Sequence, residues 1–256
     1  MTRRRFIADT FTDTTASLSG DQAAHLARVL RAQPGQIFDV VSNGFLHRAE
    51  VLTVSDREVV FTLHEELEAD AALPVHLLLA VFKFDHLEWG IEKATELGAA
   101  RITPILARRT EKHLALAASK RVDRWRRIAL ESSKQSRRTD VPTIDDPQTL
   151  KLALQEVTAP TKLLLAETEQ DNTIAAALQS LQTPGAPGPA SGTRVSTEAS
   201  EQQADIALAI GPEGGWTADE MQLFTDNQWH HVTLGPRILR AETAAIAALA
   251  ICSALL

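Results

Sequence analysis

Apolar and polar positions change their period once along this 256-residue chain. Up to residue 72 the apolar runs are short and separated by turn residues. Ile37-Phe-Asp-Val-Val41 is followed by Ser42-Asn-Gly44 and then Phe45-Leu-His-Arg-Ala-Glu-Val51, and Val59-Val-Phe-Thr-Leu63 is a further run. Asn-Gly between two such runs is a hairpin signal. Val29-Leu-Arg-Ala-Gln-Pro-Gly35 ends in a Pro-Gly turn. One helical piece interrupts the strands: Asp21 to Arg31 places Ala24, Leu26, Ala27 and Leu30 inward and His25, Arg28 and Arg31 outward. Short strands with tight turns over residues 1–72 predict a small β-barrel.

The acidic stretch from Glu65 to Pro74 reads as a linker with Pro74 at the boundary. Beyond it the pattern becomes that of alternating strands and helices. Val75 to Phe82 is continuously apolar, as expected of a strand buried on both faces. Leu87, Ile91, Ala94 and Leu97 then recur at helical spacing, and Gly98 is placed to end that helix. Arg101 to Leu106, Thr161 to Ala166, Asp205 to Ile210 and His231 to Leu234 complete five strand candidates. Lys120 to Arg137 reads as a basic helix with Trp125, Ile128 and Ala129 inward and Arg124, Arg127, Lys134, Arg137 and Arg138 available outside. Residues 73–256 are therefore expected to form an α/β domain on a mainly parallel sheet. Within it, Pro-, Gly- and Ser-rich residues 183–203 read as a flexible surface insertion.

Charge sharpens this division. The net charge is −7, yet residues 83–138 carry 14 Lys and Arg against 7 Asp and Glu, between acidic flanks. A basic segment inside an acidic chain points to a polyanionic partner or to a solvated helix face. Hydrophobic content of 44% fits an ordinary globular protein. The single cysteine, Cys252, excludes an internal disulfide and any multi-cysteine zinc site, and its apolar neighbours predict a buried thiol. The eight histidines show no metal-ligand spacing, so no metal is expected. The N-terminus lacks the apolar core of a signal peptide, and the apolar stretch from Ala244 to Leu256 is too short for a membrane span. The expected location is cytoplasmic.

Two glycine-bearing stretches follow strand candidates and lead into helices: Ile210-Gly-Pro-Glu-Gly-Gly-Trp216 and Leu234-Gly-Pro-Arg-Ile-Leu-Arg-Ala-Glu-Thr-Ala244. Open α/β sheets bind ligands at such strand tips. The first stretch is neither a P-loop nor a dinucleotide fingerprint. Its small residues admit close approach of backbone amides, and Thr217-Ala-Asp-Glu220 fits a capping box. In the second, Arg240 and Glu242 either pair with each other or face a ligand, because a charge in so apolar a unit needs a partner. His230-His231 beside a strand reads as structural.

These motifs carry a resemblance. Lys83-Phe-Asp-His-Leu-Glu-Trp-Gly-Ile-Glu-Lys-Ala-Thr-Glu-Leu-Gly98, Ile102-Thr-Pro104, Ser133-Lys-Gln-Ser136 with Arg138, and the two glycine loops follow one another as in the RsmE-type 16S ribosomal RNA uracil-N3 methyltransferases. His25-Leu-Ala-Arg-Val-Leu-Arg31 with Gly35 is similar to that family's N-terminal signature. The resemblance covers nearly the whole chain. It implies a PUA-like β-barrel followed by a SPOUT domain with a C-terminal trefoil knot, binding S-adenosylmethionine, working as a homodimer and acting on 16S ribosomal RNA of the small subunit. The implied cofactor residues are Leu165, Glu167, Ile210, Gly211, Gly214, Gly215, Leu234, Gly235, Ile238, Leu239 and Arg240. Ala107-Arg-Arg-Thr-Glu-Lys112 departs from the family's Arg-Ser-containing form, and the insertion after Leu181 is longer than the family's.

Uracil N3 is nucleophilic only after losing its proton, so such a site needs a base or a cation that stabilises the anionic ring. Arg240 is expected to donate to a uracil carbonyl oxygen, and Glu242 or Glu213 to accept the proton. RNA is expected at Arg3, Arg4, Arg5, Arg28 and Arg31 of the small domain and at Lys134, Arg137 and Arg138 of the large one. Two other functions fit the same sequence: a ribose 2'-O-methyltransferase acting on RNA, and a non-catalytic RNA-binding assembly factor.

Overall fold

The computed structural model describes residues 5–69, 71–181 and 204–256. Arg3, Arg4 and the whole of the 183–203 insertion lie outside these residues. The chain divides into two compact units, residues 1–71 with 133–140, and residues 72–132 with 141–256.

The first unit is a six-stranded sheet. Its strands are β1 (Arg5–Ile7), β2 (Thr10–Phe11), β3 (Thr15–Ser19), β4 (Ile37–Ser42), β5 (Phe45–Val54) and β6 (Glu58–Leu67), in the order β1-β4-β5-β6-β3-β2. The two end strands are joined by Ala8 and Asp9 alone. Ala8 N donates to Val41 O and Asp9 N to Ser17 O, so this short link bonds to both ends of the sheet and curls it into a barrel. The β4–β5 hairpin turns at Asn43 (φ 51°) and Gly44 (φ 82°), the left-handed pair that a type I′ turn needs. Phe61, Leu18, Leu26 and Val51 fill the interior.

The helical piece differs from expectation. A short helix α1 (Gly20–Ala24) passes into a π-turn over His25–Val29. The face holds through the wider turn, with Leu26 buried and His25, Arg28 and Arg31 exposed, and Ala23 is buried in addition. The acidic segment is also less of a linker than its composition suggests, since β6 runs to Leu67 and the next strand begins at Leu73.

The second unit contains β7 (Leu73–Ala80), α2 (Phe84–Glu96), β8 (Ala99–Leu106), α3 (Lys112–Ala118) and α4 (Val122–Ser136), whose last turn belongs to the first unit. Next come β9 (Thr143–Ile144), β10 (Gln148–Thr149), α5 (Leu150–Glu156), β11 (Thr161–Leu165) and α6 (Ile174–Leu181). The chain ends with β12 (Ile206–Ile210), α7 (Ala218–Asp226), β13 (His230–Val232) and α8 (Ala241–Leu255). The sheet order is β10-β8-β7-β12-β11-β13, with β9 also on β8, and every pairing is parallel. Strands β9 and β10, two residues each, fall below what periodicity detects.

Alternation along the central strands assigns the faces. Val75, Leu77 and Leu79 of β7 and Ile206, Leu208 and Ile210 of β12 join the core under α2, α4 and α8. Leu78, Ala207 and Ala209 join a second core under α5 and α7. A sheet covered on both sides needs such uninterrupted apolar runs. Although β13 is an edge strand, α8 returns from it to pack on β7, β12 and α2. That return carries the residues after β13 across the tips of the central strands. Cys252 is buried in α8, and burial pushes its thiol up to about 11.

Candidate active site

Because all strands of the second sheet run parallel, the turns after β8, β7, β12, β11 and β13 share one edge. Those turns enclose a cavity of about 940 Å³. Leu165, Glu167, Ile210, Gly211, Glu213, Gly214, Gly215, Leu234, Gly235, Ile238, Leu239 and Arg240 all line it. The two glycine loops are thus walls of one space.

The first loop is shaped by its glycines. A Cβ on Gly211 would lie 3.0 Å from Trp216 Nε1. Gly215 takes φ 69° and donates its N–H to Pro212 O at 2.8 Å. The loop then enters α7 through a complete capping box. Thr217 Oγ1 accepts from Glu220 N, and the Glu220 carboxylate accepts from Thr217 N at 2.9 Å. The other Glu220 oxygen accepts from Arg108 N at 2.7 Å, so a buried carboxylate ties the turn after β8 to this loop. Arg109 completes the brace: its Nη1 donates to Gly214 O at 2.5 Å and its stem packs where a Gly214 side chain would be.

In the second loop Gly235 takes φ 108° and its N–H bonds Thr233 Oγ1 at 3.1 Å. Residues 166–171 form a third wall that no motif in the sequence marks. Glu169 accepts from the backbone N–H groups of Asn172, Asp171 and Gln170, which hold its carboxyl below the usual range. Asn172 Nδ2 in turn donates to His231 O, which joins this turn to β13.

Glu242 departs from both readings of the sequence. It pairs with His86, Nδ1 to Oε1 at 2.8 Å, and not with Arg240. Its side chain is 3% exposed and is not part of the cavity wall, whereas the half-buried His86 is. Arg240, exposed at the start of α8, makes no ion pair among the described residues. Lys83, His86, Arg109, Trp216 and Met221 also line the cavity. Lys83, His86 and Arg109 were legible by the strand-tip rule, since each sits in or just beyond the turn that follows a predicted strand.

The basic residues of the first unit are unequally available. Arg31 and Arg137 are exposed, at φ 51° and 61°. Arg5 donates to Arg137 O, and Lys134 lies 3.7 Å from Asp9. Arg28 pairs with Asp56 at 2.7 Å, and Arg138 is largely buried against Asp140. Among the described residues no helix is long and apolar enough to cross a membrane.

An RNA methyltransferase domain model matches residues 69–253, and an RNA methyltransferase PUA domain model matches residues 18–63. The chain is 34% identical to the ribosomal RNA small subunit methyltransferase E of a Synechocystis species, over 95% of this chain and 74% of that protein. The corresponding Bacillus subtilis protein is 31% identical over 92% of this chain and 88% of its own. The chain belongs to the ribosomal RNA small subunit methyltransferase E family. A member of that family from Neisseria gonorrhoeae, crystallised bound to S-adenosyl methionine, superposes with a TM-score of 0.73 at 25% identity. The match covers 99% of this chain and 98% of that one. A putative methyltransferase from Legionella pneumophila, in complex with the same cofactor, gives the same values. The fold is PUA-like followed by SPOUT-type, as the resemblance implied.

Proposed function

We propose that this chain transfers the methyl group of S-adenosylmethionine to N3 of a uridine in the 16S ribosomal RNA of the small subunit, in the cytoplasm and as a homodimer. The observation that carries the reading is the convergence of both glycine loops on one cavity at the sheet's C-terminal edge. The relatives' names and cofactor-bound structures support the substrate and the cofactor.

The lining fits that cofactor. Leu165, Ile210, Leu234, Ile238 and Leu239 offer apolar contact, Glu167 offers an acceptor, and the backbone at Gly211, Gly214, Gly215 and Gly235 is open to close approach. Trp216 Nε1 is buried beside Gly211 without a partner among the described residues. When bound, the cofactor supplies an electrophilic methyl group on a sulfonium. The protein's share is to hold the uracil in line with it and to keep water out.

Arg240, exposed on the cavity wall, is the cation we place against a uracil carbonyl oxygen, where charge develops as N3 loses its proton. Glu213 lines the same wall and is the carboxylate placed to take that proton. Glu242 meets the cavity only through His86. The small domain, residues 1–72, is proposed to bind RNA through Arg3, Arg4, Arg5, Arg28 and Arg31, aided by Lys134, Arg137 and Arg138. Among the described residues of this set, Arg28, Arg31 and Arg137 are exposed, Arg28 in a surface pair with Asp56.

The test is methyl transfer from labelled cofactor to undermethylated small subunits and to naked RNA, with mass mapping of the product. A methyl group on uracil N3 is expected. A methyl group on ribose, or no cofactor binding by calorimetry, would overturn the reading.

A further inference from the structure

The two glycine loops leave one side of the cavity unexplained. Along the sheet edge, β8, β7, β12, β11 and β13 present in turn Arg109, Lys83, the first glycine loop, the acidic turn with Glu167, Glu169 and Asp171, and the second glycine loop. Two cations from separate turns therefore stand side by side at the end away from the acids. They reach adjacent residues of the first glycine loop: Lys83 Nζ lies 3.9 Å from Glu213 Oε2, and Arg109 Nη1 donates to Gly214 O at 2.5 Å.

Neither charge is neutralised there. A carbonyl fixes the guanidinium without cancelling its charge, and among the described residues no carboxylate lies within pairing distance of Arg109. The single carboxylate near Lys83 is at the outer limit of a pair, with both side chains well exposed. Basic residues on the helices behave differently: Arg121 and Arg124 share Glu88, and Arg126 meets Asp146. Lys83 and Arg109 are thus exposed positive charges on the cavity wall, Arg109 anchored by the Gly214 carbonyl, and each has more N–H donors than these contacts use.

We propose that Lys83 and Arg109 form an anion subsite that holds a backbone phosphate of the RNA strand beside the base presented to Arg240. The proposal rests on the reading of the site as an RNA methyltransferase centre. A planar guanidinium fork next to a mobile ammonium suits a phosphodiester, with the fork setting geometry and the ammonium adding charge. The cofactor's carboxylate has similar chemistry, but the residues assigned to the cofactor come from the turns after β11, β12 and β13. Lys83 and Arg109 come from the other two.

The experiment uses the full chain with Lys83→Gln, Arg109→Gln and the double variant, and Lys83→Arg with Arg109→Lys as charge-keeping controls. Thermal melting, S-adenosylmethionine affinity by calorimetry, and kcat/KM on undermethylated small subunits across a potassium chloride series are measured for each. The double Gln variant is expected to lose about tenfold or more in kcat/KM at low salt. Its log–log salt slope should shrink by about 0.7 to 0.9 for each phosphate that the protein no longer neutralises, while cofactor affinity stays within about twofold. The charge-keeping controls should retain the slope. An unchanged slope overturns the proposal. So does a loss that follows cofactor affinity, which would assign the cations to the cofactor, or one that follows the melting temperature, which would make them loop braces only. If the wild-type protein methylates no RNA, the functional reading fails. Filter binding of a short single-stranded RNA to the same variants then decides the subsite, and equal binding overturns it.

Discussion

His86 Nδ1 lies 2.8 Å from Glu242 Oε1, joining the first turn of α2 to that of α8 across 156 positions of sequence. The carboxylate is almost fully buried, and its second oxygen has no partner among the described residues. Removing the imidazole would leave both oxygens unsatisfied. His86→Leu is therefore expected to lower stability by about 3 kcal/mol, the cost of stranding a buried carboxylate. Adding Glu242→Leu should recover most of that loss. Urea unfolding of the two single variants and the double closes the cycle, and strictly additive losses would show that the pair does not interact.

Gly211 sets the shape of the first loop. The indole of Trp216, which an added methyl would meet at 3.0 Å, is packed edge-on against Phe224 with ring centroids 4.9 Å apart. That contact and the cavity it lines leave the half-buried indole only the cavity to move into, so Gly211→Ala must shift either the loop or the cavity wall. Such overpacking costs about 1 to 3 kcal/mol. The expected result is a fall in S-adenosylmethionine affinity of about tenfold by calorimetry, with an unchanged far-ultraviolet circular dichroism spectrum. Wild-type affinity would mean that the indole does not constrain the loop.

What the sequence showed and what it concealed divide along physical lines. Val75 to Phe82 announced a doubly covered strand because every position but His76 is apolar, and Asn43-Gly44 announced its hairpin because few other pairs accept two left-handed residues. Both are local signals. The Thr217–Glu220 capping box was equally local and is present. Glu242 was legible as a charge that needs a partner, yet the partner is His86, brought near by the return of α8 across the sheet. No spacing in the chain encodes that contact. The Arg108–Glu220 and Arg109–Gly214 bonds were hidden for the same reason, being over 100 residues apart in sequence. The π-turn at His25–Val29 was not legible from a 3.6-residue period, although Leu26 is buried and His25, Arg28 and Arg31 are exposed as that period predicts.

Glu220 holds three things at once: the N-terminus of α7, the end of the first glycine loop and the turn after β8. Its two oxygens accept from Arg108 N, Thr217 N and Thr217 Oγ1. An amide in place of the carboxylate would set an NH₂ against an N–H. Glu220→Gln should therefore cost about 2 kcal/mol despite its near-identical shape. Thr217→Val, which removes the cap and the hydroxyl's bond to the carboxylate but keeps the Thr217 and Arg108 N–H bonds, should cost about 1 kcal/mol. Denaturant midpoints test both, and a Gln variant as stable as wild type would show that the carboxylate is not what secures the turn.

His76 gives the fold a pH dependence. It is buried on β7, and burial, then the Arg101 guanidinium, push its imidazole down to about 4, against a smaller opposing pull from Asp145. At neutral pH it is therefore uncharged, and the 4.0 Å approach of Nε2 to Asp145 is not an ion pair. Its Nε2 instead meets Thr103 Oγ1 at 2.7 Å, while that hydroxyl donates to Asp145. With the proton as donor on Nε2, the neutral ring already satisfies this chain of bonds, and a second proton on Nδ1 would add a charge in a buried place. The unfolded chain takes up a proton at this position near the ordinary value of 6.5, well before the folded protein does. Stability from this residue is accordingly full above about pH 6.5 and is lost as pH falls toward 4. The loss amounts to roughly 3 kcal/mol at about 1.4 kcal/mol per pH unit. His76→Gln keeps a neutral donor for Thr103 and removes the titration. Urea unfolding at pH 7.5 and pH 4.5 should show a smaller drop for His76→Gln than for wild type, the carboxylates contributing equally to both. Equal drops would place the acid sensitivity elsewhere.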